Sequence, residues 1–476
     1  MNPRPLPRRA GLVGLGFVVV SAVLVRLPLF AVPLDPDEGG YAYIARKWAE
    51  GARLYSPAAW VDRPQGLLLA FRAAAAVSYS PAGVRALAVV AAVSAALAAT
   101  SAAWAIAGRR AGIAAGLVAA VLLAGAFVEG YEFNGEIIAA AVGSWGAVLA
   151  LWWRAGRIAS RWLLAAGLLA ASAMLVKQSA VDSVAVVLAV AAVSANRRRA
   201  LPLAVGGTAI PLGGALLWAA AVGWGAWWFA VVSFQAGVAG TLTLDGRLTA
   251  TLRTARYIAP DLLGVALGAA LGLAVVLRLR HAWWPAMLWA TVAVSAVLAS
   301  PFGNPHYWMQ PVLPLAVLLG LAAATVSRRT AVGLVALAVA VPLAVQIHLA
   351  TSPPASRAAF VVHNRTQLAA PSVAGWLRVH SRPQDTVYAF VAGAEIYLEA
   401  GRSTHYPYLW GESVVRIPGA VTRLASWLAS PSGPRYVVLY QRPAAVDPTG
   451  RLSRILLQHY PNDATVSGYT ILQRRR

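Results

Sequence analysis

The 476-residue chain contains no cysteine, which excludes disulfide staples and metal sites built on thiolates, and leaves nothing for an oxidising compartment to harm. Charge is scarce as well. Only 12% of the residues are charged, against roughly 25% in an ordinary soluble domain. Lysine is nearly missing, since Lys47 and Lys177 are the only two among 40 basic residues. The chain has no low-complexity segment and no repeat of fixed period. No cleavable leader is expected: Met1 to Ala10 is basic and precedes an apolar stretch, but Arg26 and Pro28 stand where small residues would mark cleavage. The stretch therefore reads as an uncleaved first membrane span.

What is present is apolar surface, at 59% of the residues, gathered in runs separated by short basic clusters. A helix needs about 20 such residues to cross a bilayer, so the composition is that of a polytopic membrane protein. The net charge of +23 would suggest nucleic acid in a soluble chain. Here the arginines lie between hydrophobic runs, where the positive-inside rule accounts for them, and no nucleic-acid partner is expected. The clusters are Arg4/Arg8/Arg9, Arg109/Arg110, Arg154/Arg157/Arg161, Arg197/Arg198/Arg199, Arg278/Arg280 and Arg328/Arg329. They fix six cytoplasmic points, with two spans between each neighbouring pair and a last span at Val332 to Ala350. About eleven crossings result, with the N-terminus cytoplasmic and the C-terminus outside.

Gln65 to Tyr79 is expected to be a short helix at the outer interface, because Ser80-Pro81 separates it from the next span. Tyr41 to Gly51 reads as a second interfacial helix, with Tyr41, Ile44 and Trp48 on one face. Residues 1–350 thus form a membrane module. From residue 351 to 476 hydropathy falls and short β-branched and aromatic runs appear at Thr386 to Val391, Tyr436 to Tyr440 and Tyr469 to Leu472, divided by Gly and Pro turns. They predict a small extracytoplasmic α/β domain.

Polar chemistry collects in the outer turns. At least nine of the 17 acids lie in three of them, while the cytoplasmic loops hold almost none. Asp35, Asp37 and Glu38 follow the first span, and Asp62-Arg63-Pro64 opens the next apolar helix. Glu129, Glu132, Asn134 and Glu136 occupy a second turn, Lys177, Gln178 and Asp182 a third, and Asn304, His306, Tyr307 and Gln310 a fifth. Ionisable groups at a membrane edge that face the bundle are functional candidates by default. The structural alternatives are an Asp35-Pro36-Asp37 turn with Glu38 capping a helix, a snorkelling Lys177, and belt aromatics at His306, Tyr307 and the many tryptophans. Arg26 either snorkels outward or pairs with the Asp35 to Glu38 acids.

The order Asp37-Glu38-x-x-Tyr41, Asp62-Arg63-Pro64, Glu136, Lys177 and His306-Tyr307 before Pro311 resembles the GT-C glycosyltransferases. Within them it looks like the protein O-mannosyltransferases and the lipid A aminoarabinose transferase, over roughly residues 10 to 345. The resemblance implies a GT-C-like, α-helical polytopic enzyme of a bacterial plasma membrane. Such an enzyme passes a mannose- or arabinose-type sugar from a polyprenyl phosphate to a lipid, glycan or protein hydroxyl outside. Carried over, Asp37 resembles the general base and Glu136 a second acid, with Glu38 beside them. Tyr41, Asp62, Arg63, Lys177, Gln178, His306 and Tyr307 would line the substrate site, with Arg63, Lys177 and Tyr307 near the lipid phosphate.

Two positions depart from the pattern: Arg63 replaces a lysine, exchanging a point cation for a planar fork, and Ser233-Phe234-Gln235 stands where relatives of the aminoarabinose transferase carry His and Arg. No cofactor is required by the pattern, although the outer carboxylates suit a hard cation such as Mg²⁺ or Mn²⁺. A transporter or flippase of lipid-linked or small polar substrates is the rival reading. It would call for two matching halves with polar groups at the midplane, whereas the charges here gather at one face.

Overall fold

The computed structural model describes residues 8–76, 78–240, 243–276, 283–300 and 302–475. Arg4, the Arg278/Arg280 pair and Pro301 lie outside the described residues. The chain opens with α1 (Arg8–Leu24) and a 3₁₀ turn, then α2 (Pro36–Ala49) and α3 (Gln65–Ala75). The bundle follows as α4 (Pro81–Ala107), α5 (Arg109–Leu122), α6 (Gly135–Arg154), α7 (Trp162–Met174), α8 (Asp182–Ala192) and α9 (Arg197–Val222). Two short helices, α10 (Trp224–Trp228) and α11 (Phe234–Ala239), lead to α12 (Leu244–Val276), α13 (Trp284–Ala299), α14 (Met309–Thr325) and α15 (Arg328–Thr351).

Among the described residues, six helices are long and apolar enough to cross a membrane, or up to seven if a bent pair counts as one span. The remaining apolar helices at the expected crossings, α5, α7, α8 and α13, are shorter.

Small side chains set the packing. Apart from Thr100, the buried residues of α4 from Ala88 to Ala103 are all alanine, which lets α4 lie close against α5 and α6. Without a hydrophobic difference between helix and lipid, close backbone approach and dispersion carry such contacts. α6 continues onto α7, α7 onto α9, and α14 fills the space between α5 and α12. Arg110 of α5 donates to the Val326 carbonyl just before α15, which brings the Arg109/Arg110 and Arg328/Arg329 clusters to the same end of the bundle. Arg26 does neither of the things expected of it. It is buried, donating to the Leu123 carbonyl (2.7 Å) and to that of Gly130, so it ties the end of α5 to the loop that follows.

After α15 come α16 (Pro354–Val361) and α17 (Arg365–His380), then β1 (Val387–Ala389), α18 (Ile396–Ala400), α19 (Gly411–Arg416), α20 (Ala420–Ala429) and β2 (Tyr436–Leu439). α21 (Pro443–Val446), α22 (Arg451–His459), β3 (Asn462–Val466) and β4 (Tyr469–Gln473) complete the chain. The sheet runs β1-β2-β4-β3, with β1 parallel to β2 and the other pairs antiparallel. Three of the strands fall on the expected runs. β3 does not, because Asn462-Asp463-Ala464-Thr465-Val466 is a polar, largely exposed edge strand without the apolar signature. Its partner is fixed instead by the turn Ser467-Gly468, where both residues have positive φ (48° and 82°) and join β3 to β4 as a tight hairpin.

The expectation for Tyr41 to Gly51 needs correction. α2 does not bury one face and give the other to water: Glu38 to Ala45 are all buried, and exposure rises again only in the last turn. The cause is α18, which packs on α2 from the side opposite the bundle and covers the face a lone helix would give to water.

Candidate active site

Both helices that carry the leading acids begin at capped N-termini. Asp35 caps α2, accepting from the Asp37 amide (2.8 Å), while the Glu38 carboxylate accepts from the Asp35 amide (3.0 Å) in a reciprocal capping box with Pro36 in the first turn. Asn134 caps α6, accepting from the Ile137 amide (3.1 Å) and leaving Glu136 in the first turn, where the helix dipole favours an anion. Local sequence thus starts each helix at the level of the site.

A cleft of about 650 Å³, counting its open mouth, lies between these turns. Asp37, Tyr41, Arg63, Glu136, Lys177, Gln178, His306 and Tyr307 all line it, so eight of the ten expected site residues meet there from five separate segments. Tyr41 lies one helical turn beyond Asp37 and donates its hydroxyl to the Asp37 carboxylate (3.1 Å). Lys177, in the turn between α7 and α8, is ion-paired with Glu136. Its ammonium also sits 3.5 Å from the centre of the Tyr307 ring, a cation–π contact that holds it at the cleft wall. Gln178 donates to the Val231 carbonyl (3.0 Å).

Asp62 stands behind the cleft and orients its cation. Its carboxylate accepts from Arg63 (2.6 Å) and from Gln235 (2.7 Å). Burial raises the Asp62 carboxyl above its usual range, with Arg63 pulling the other way. Gln235 is one of the residues that depart from the family pattern, and it lines the cleft itself.

Glu38 is turned away. Adjacent helical residues point about 100° apart, so with Asp37 facing the cleft Glu38 faces the bundle, 1% exposed. There it accepts from Arg85 of α4 (2.8 Å) and from the Phe133 amide (2.7 Å). Arg85, 2% exposed, also donates to the carbonyls of Tyr131 (2.8 Å) and Pro33 (2.9 Å). This buried pair joins α4 to both acidic turns. The sequence reading passed over Arg85, and the signal was there: a single arginine inside an apolar helix must find a partner.

Glu129, Glu132 and His306 form a second cluster, with one potential ligand atom from each lying within 4.8 Å of the others. His306 bonds Glu129 through Nδ1 (2.7 Å), and its Nε2 is 3.9 Å from Glu136. Burial, with Asp35 and Glu129 close by, raises the Glu132 carboxyl well above its usual range. Beyond this wall opens another cleft, of about 1140 Å³, lined by Asp35, Glu129, Glu132, Arg253, Tyr257, His363, Asn364 and Gln367 among others. Glu132 borders both clefts. Deeper in the bundle Asp182 accepts from Trp289 (2.6 Å) and Gln310 (2.7 Å), which satisfies it structurally.

No protein-family model matches the chain, and no curated protein is similar in sequence. Solved structures are similar in fold. Two structures of ArnT, the lipid A aminoarabinose transferase, from Cupriavidus metallidurans superpose with TM-scores of 0.65 (bound to undecaprenyl phosphate) and 0.67 (apo), at 15% identity over 98% of each chain. The Archaeoglobus fulgidus oligosaccharyltransferase AglB with a tethered acceptor peptide gives 0.53 at 14% identity, covering 98% of this chain and 74% of that one. The same enzyme with Zn and sulfate gives 0.52 at 16% identity, covering 89% and 67%. The helix arrangement of this chain is therefore similar to that of ArnT and AglB, both GT-C superfamily members.

Proposed function

We propose that this protein is an inverting membrane glycosyltransferase that moves a mannose- or arabinose-type sugar from a polyprenyl phosphate to an acceptor hydroxyl on the outer face of a bacterial plasma membrane. In this reading the eleven helices α1, α4 to α9 and α12 to α15 cross the bilayer. Residues 351–476 then form the extracytoplasmic domain, and the N-terminus is cytoplasmic. One observation carries the proposal: a single cleft sets the Asp37 carboxylate and its Tyr41 donor in the company of two basic side chains, Arg63 and Lys177.

The chemistry follows from that arrangement. An acceptor hydroxyl must lose its proton as it attacks the anomeric carbon, and Asp37 takes it as general base. The bond from anomeric carbon to phosphate oxygen breaks as the new glycosidic bond forms, so the anomeric centre inverts without a sugar–enzyme intermediate. Negative charge then grows on the departing polyprenyl phosphate. Arg63, steadied by Asp62, which Gln235 holds in turn, and Lys177, steadied by Glu136 and Tyr307, are positioned to stabilise it. The donor lipid enters by this cleft, with Gln178 and His306 at its wall, and the acceptor by the more acidic cleft beyond Glu132.

Glu129, Glu132 and His306 suit a divalent cation, and a donor set of two carboxylates and one imidazole favours Mn²⁺ or Zn²⁺ over Mg²⁺. Such an ion would supply positive charge between donor and acceptor clefts.

The test is incubation of the purified protein in nanodiscs with radiolabelled polyprenyl phosphate sugars of several kinds. Label should leave the lipid for at least one mannose- or arabinose-type donor, and retention of label on every donor would overturn the reading.

A further inference from the structure

The membrane module alone does not fix Asp37. Gly39 and Gly40 lie two and three residues after it in α2, and the C-terminal domain presses on both. A Cβ added at Gly39 would lie 2.3 Å from Cα of Glu395, and one at Gly40 would lie 2.5 Å from Cζ2 of Trp410 and 3.0 Å from Cβ of Ala394. Neither position has room for an alanine. The contact is backbone against backbone at Gly39, so the glycines record a docking surface rather than a flexible hinge.

From there a chain of contacts reaches the carboxylate. The Trp410 ring lies 5.3 Å from that of Tyr41, and Phe71 of α3 meets Tyr41 at 5.7 Å from the bundle side. Tyr41 is thus held between the two modules, and its hydroxyl is the one that bonds Asp37. Nearby, Tyr43 exchanges hydrogen bonds with the backbone of Thr404, and Gln367 donates to the Pro33 carbonyl (3.1 Å), so the seam covers α2 along its first turns.

The seam also holds polar atoms that packing alone would not select. Among the described residues, both carboxylate oxygens of the fully buried Glu395, the Trp410 Nε1 and the Tyr440 hydroxyl lack hydrogen-bond partners. Burying such groups unpaired costs about 1–3 kcal/mol each. A Glu395 in this setting is kept as the neutral acid, since an unpaired carboxylate would be far more costly there.

We propose that the C-terminal domain is part of the catalytic apparatus, Trp410 and Glu395 being positioning residues that seat on Gly39–Gly40 and hold the helical turn that bears Asp37 and Tyr41. The inference rests on the reading of Asp37 as the base. A residue acting at one remove through Tyr41 changes turnover rather than donor affinity, because the cations that face the lipid phosphate sit on other segments. Misplacing a reacting group by about 1 Å can cost on the order of 100-fold in rate, so partial release of the turn should lower kcat at least about tenfold.

The experiment uses the full chain in nanodiscs, with three variants: Trp410→Ala, Trp410→Phe and Gly39→Ala. Initial rates are measured with the active donor, binding with undecaprenyl phosphate, and hydrogen exchange at the amides of Gly39 to Ile44. The expected result is a fall in kcat for Trp410→Ala and Gly39→Ala with undecaprenyl phosphate affinity unchanged and faster exchange in α2. Trp410→Phe should recover most of the rate, because the ring and not the unpartnered indole N–H makes the contact. Wild-type kcat in a folded Trp410→Ala protein would overturn the proposal, as would a loss that the phenylalanine fails to rescue. Were Asp37→Asn to turn over like wild type, the base assignment would fail separately. The exchange measurement would then decide the seating by itself, unchanged exchange in both Trp410→Ala and Gly39→Ala overturning it.

Discussion

Replacing Asp37 with asparagine removes the basic carboxylate and little else. Asparagine keeps a side-chain oxygen to accept from the Tyr41 hydroxyl, now at 3.1 Å, and the α2 cap is untouched because Asp35 and Glu38 make it. Weakening that one hydrogen bond is worth about 1 kcal/mol, which at about 1.36 kcal/mol per tenfold is roughly a fivefold effect on rate. Loss of the general base is larger, on the order of 100- to 10,000-fold, or about 2.7 to 5.4 kcal/mol of barrier. The two explanations are therefore separable in one comparison. Tyr41→Phe removes only the hydroxyl, leaves the ring between Trp410 and Phe71, and should lose no more than about tenfold. Glu38→Gln is a poor comparison despite its place in sequence, since it would leave Arg85 buried beside a neutral partner. Initial rates and undecaprenyl phosphate binding for Asp37→Asn and Tyr41→Phe in nanodiscs supply the measurement. An Asp37→Asn protein that keeps more than about a tenth of the wild-type rate would refute the assignment. The base would then be sought at Glu136 or Glu132, the other carboxylates on the cleft wall.

Arg85→Ala should destabilise the protein severely, by about 3–5 kcal/mol for a broken buried pair. Thermal unfolding in detergent reads this out, and a change under about 1 kcal/mol would show the pair to be incidental. Arg63→Ala and Lys177→Ala should each lower turnover and weaken use of the lipid phosphate donor, with Lys177→Arg milder than Lys177→Ala; unchanged donor dependence would make both residues structural anchors. Because the chain has no native cysteine, Leu457→Cys on the exposed face of α22 should react with impermeant maleimide in intact cells, whereas Ala195→Cys beside the Arg197 cluster should not. The opposite labelling would reverse the proposed orientation. Burial raises the Glu399 carboxyl from 4.5 to about 7. The folded protein then binds this proton more tightly than the unfolded chain does, so stability from this group is full below about pH 4.5 and is lost as pH rises toward 7. Glu399→Gln should flatten that part of the stability profile, and an identical slope in the variant would exclude Glu399 as its source.

The sequence by itself determined the class of the molecule, because long apolar runs and basic clusters act locally: each span and each cap is written in consecutive residues. It also marked Asp37, Tyr41, Arg63, Glu136, Lys177, His306 and Tyr307, since charged groups stranded at the ends of apolar helices have few structural reasons to be there. Side-chain direction was not legible. Asp37 and Glu38 are neighbours in sequence, yet helix geometry sends one into the cleft and the other into the bundle, and only the fold shows which. Arg85 and Gln235 were invisible as partners because Glu38 and Asp62 are 47 and 173 residues away from them. Most of all, the burial of α2 came from the C-terminal domain. Amphipathic spacing describes one helix against one surface, and it fails when a second module closes over the other face, as Trp410 and Glu395 do at Gly39 and Gly40.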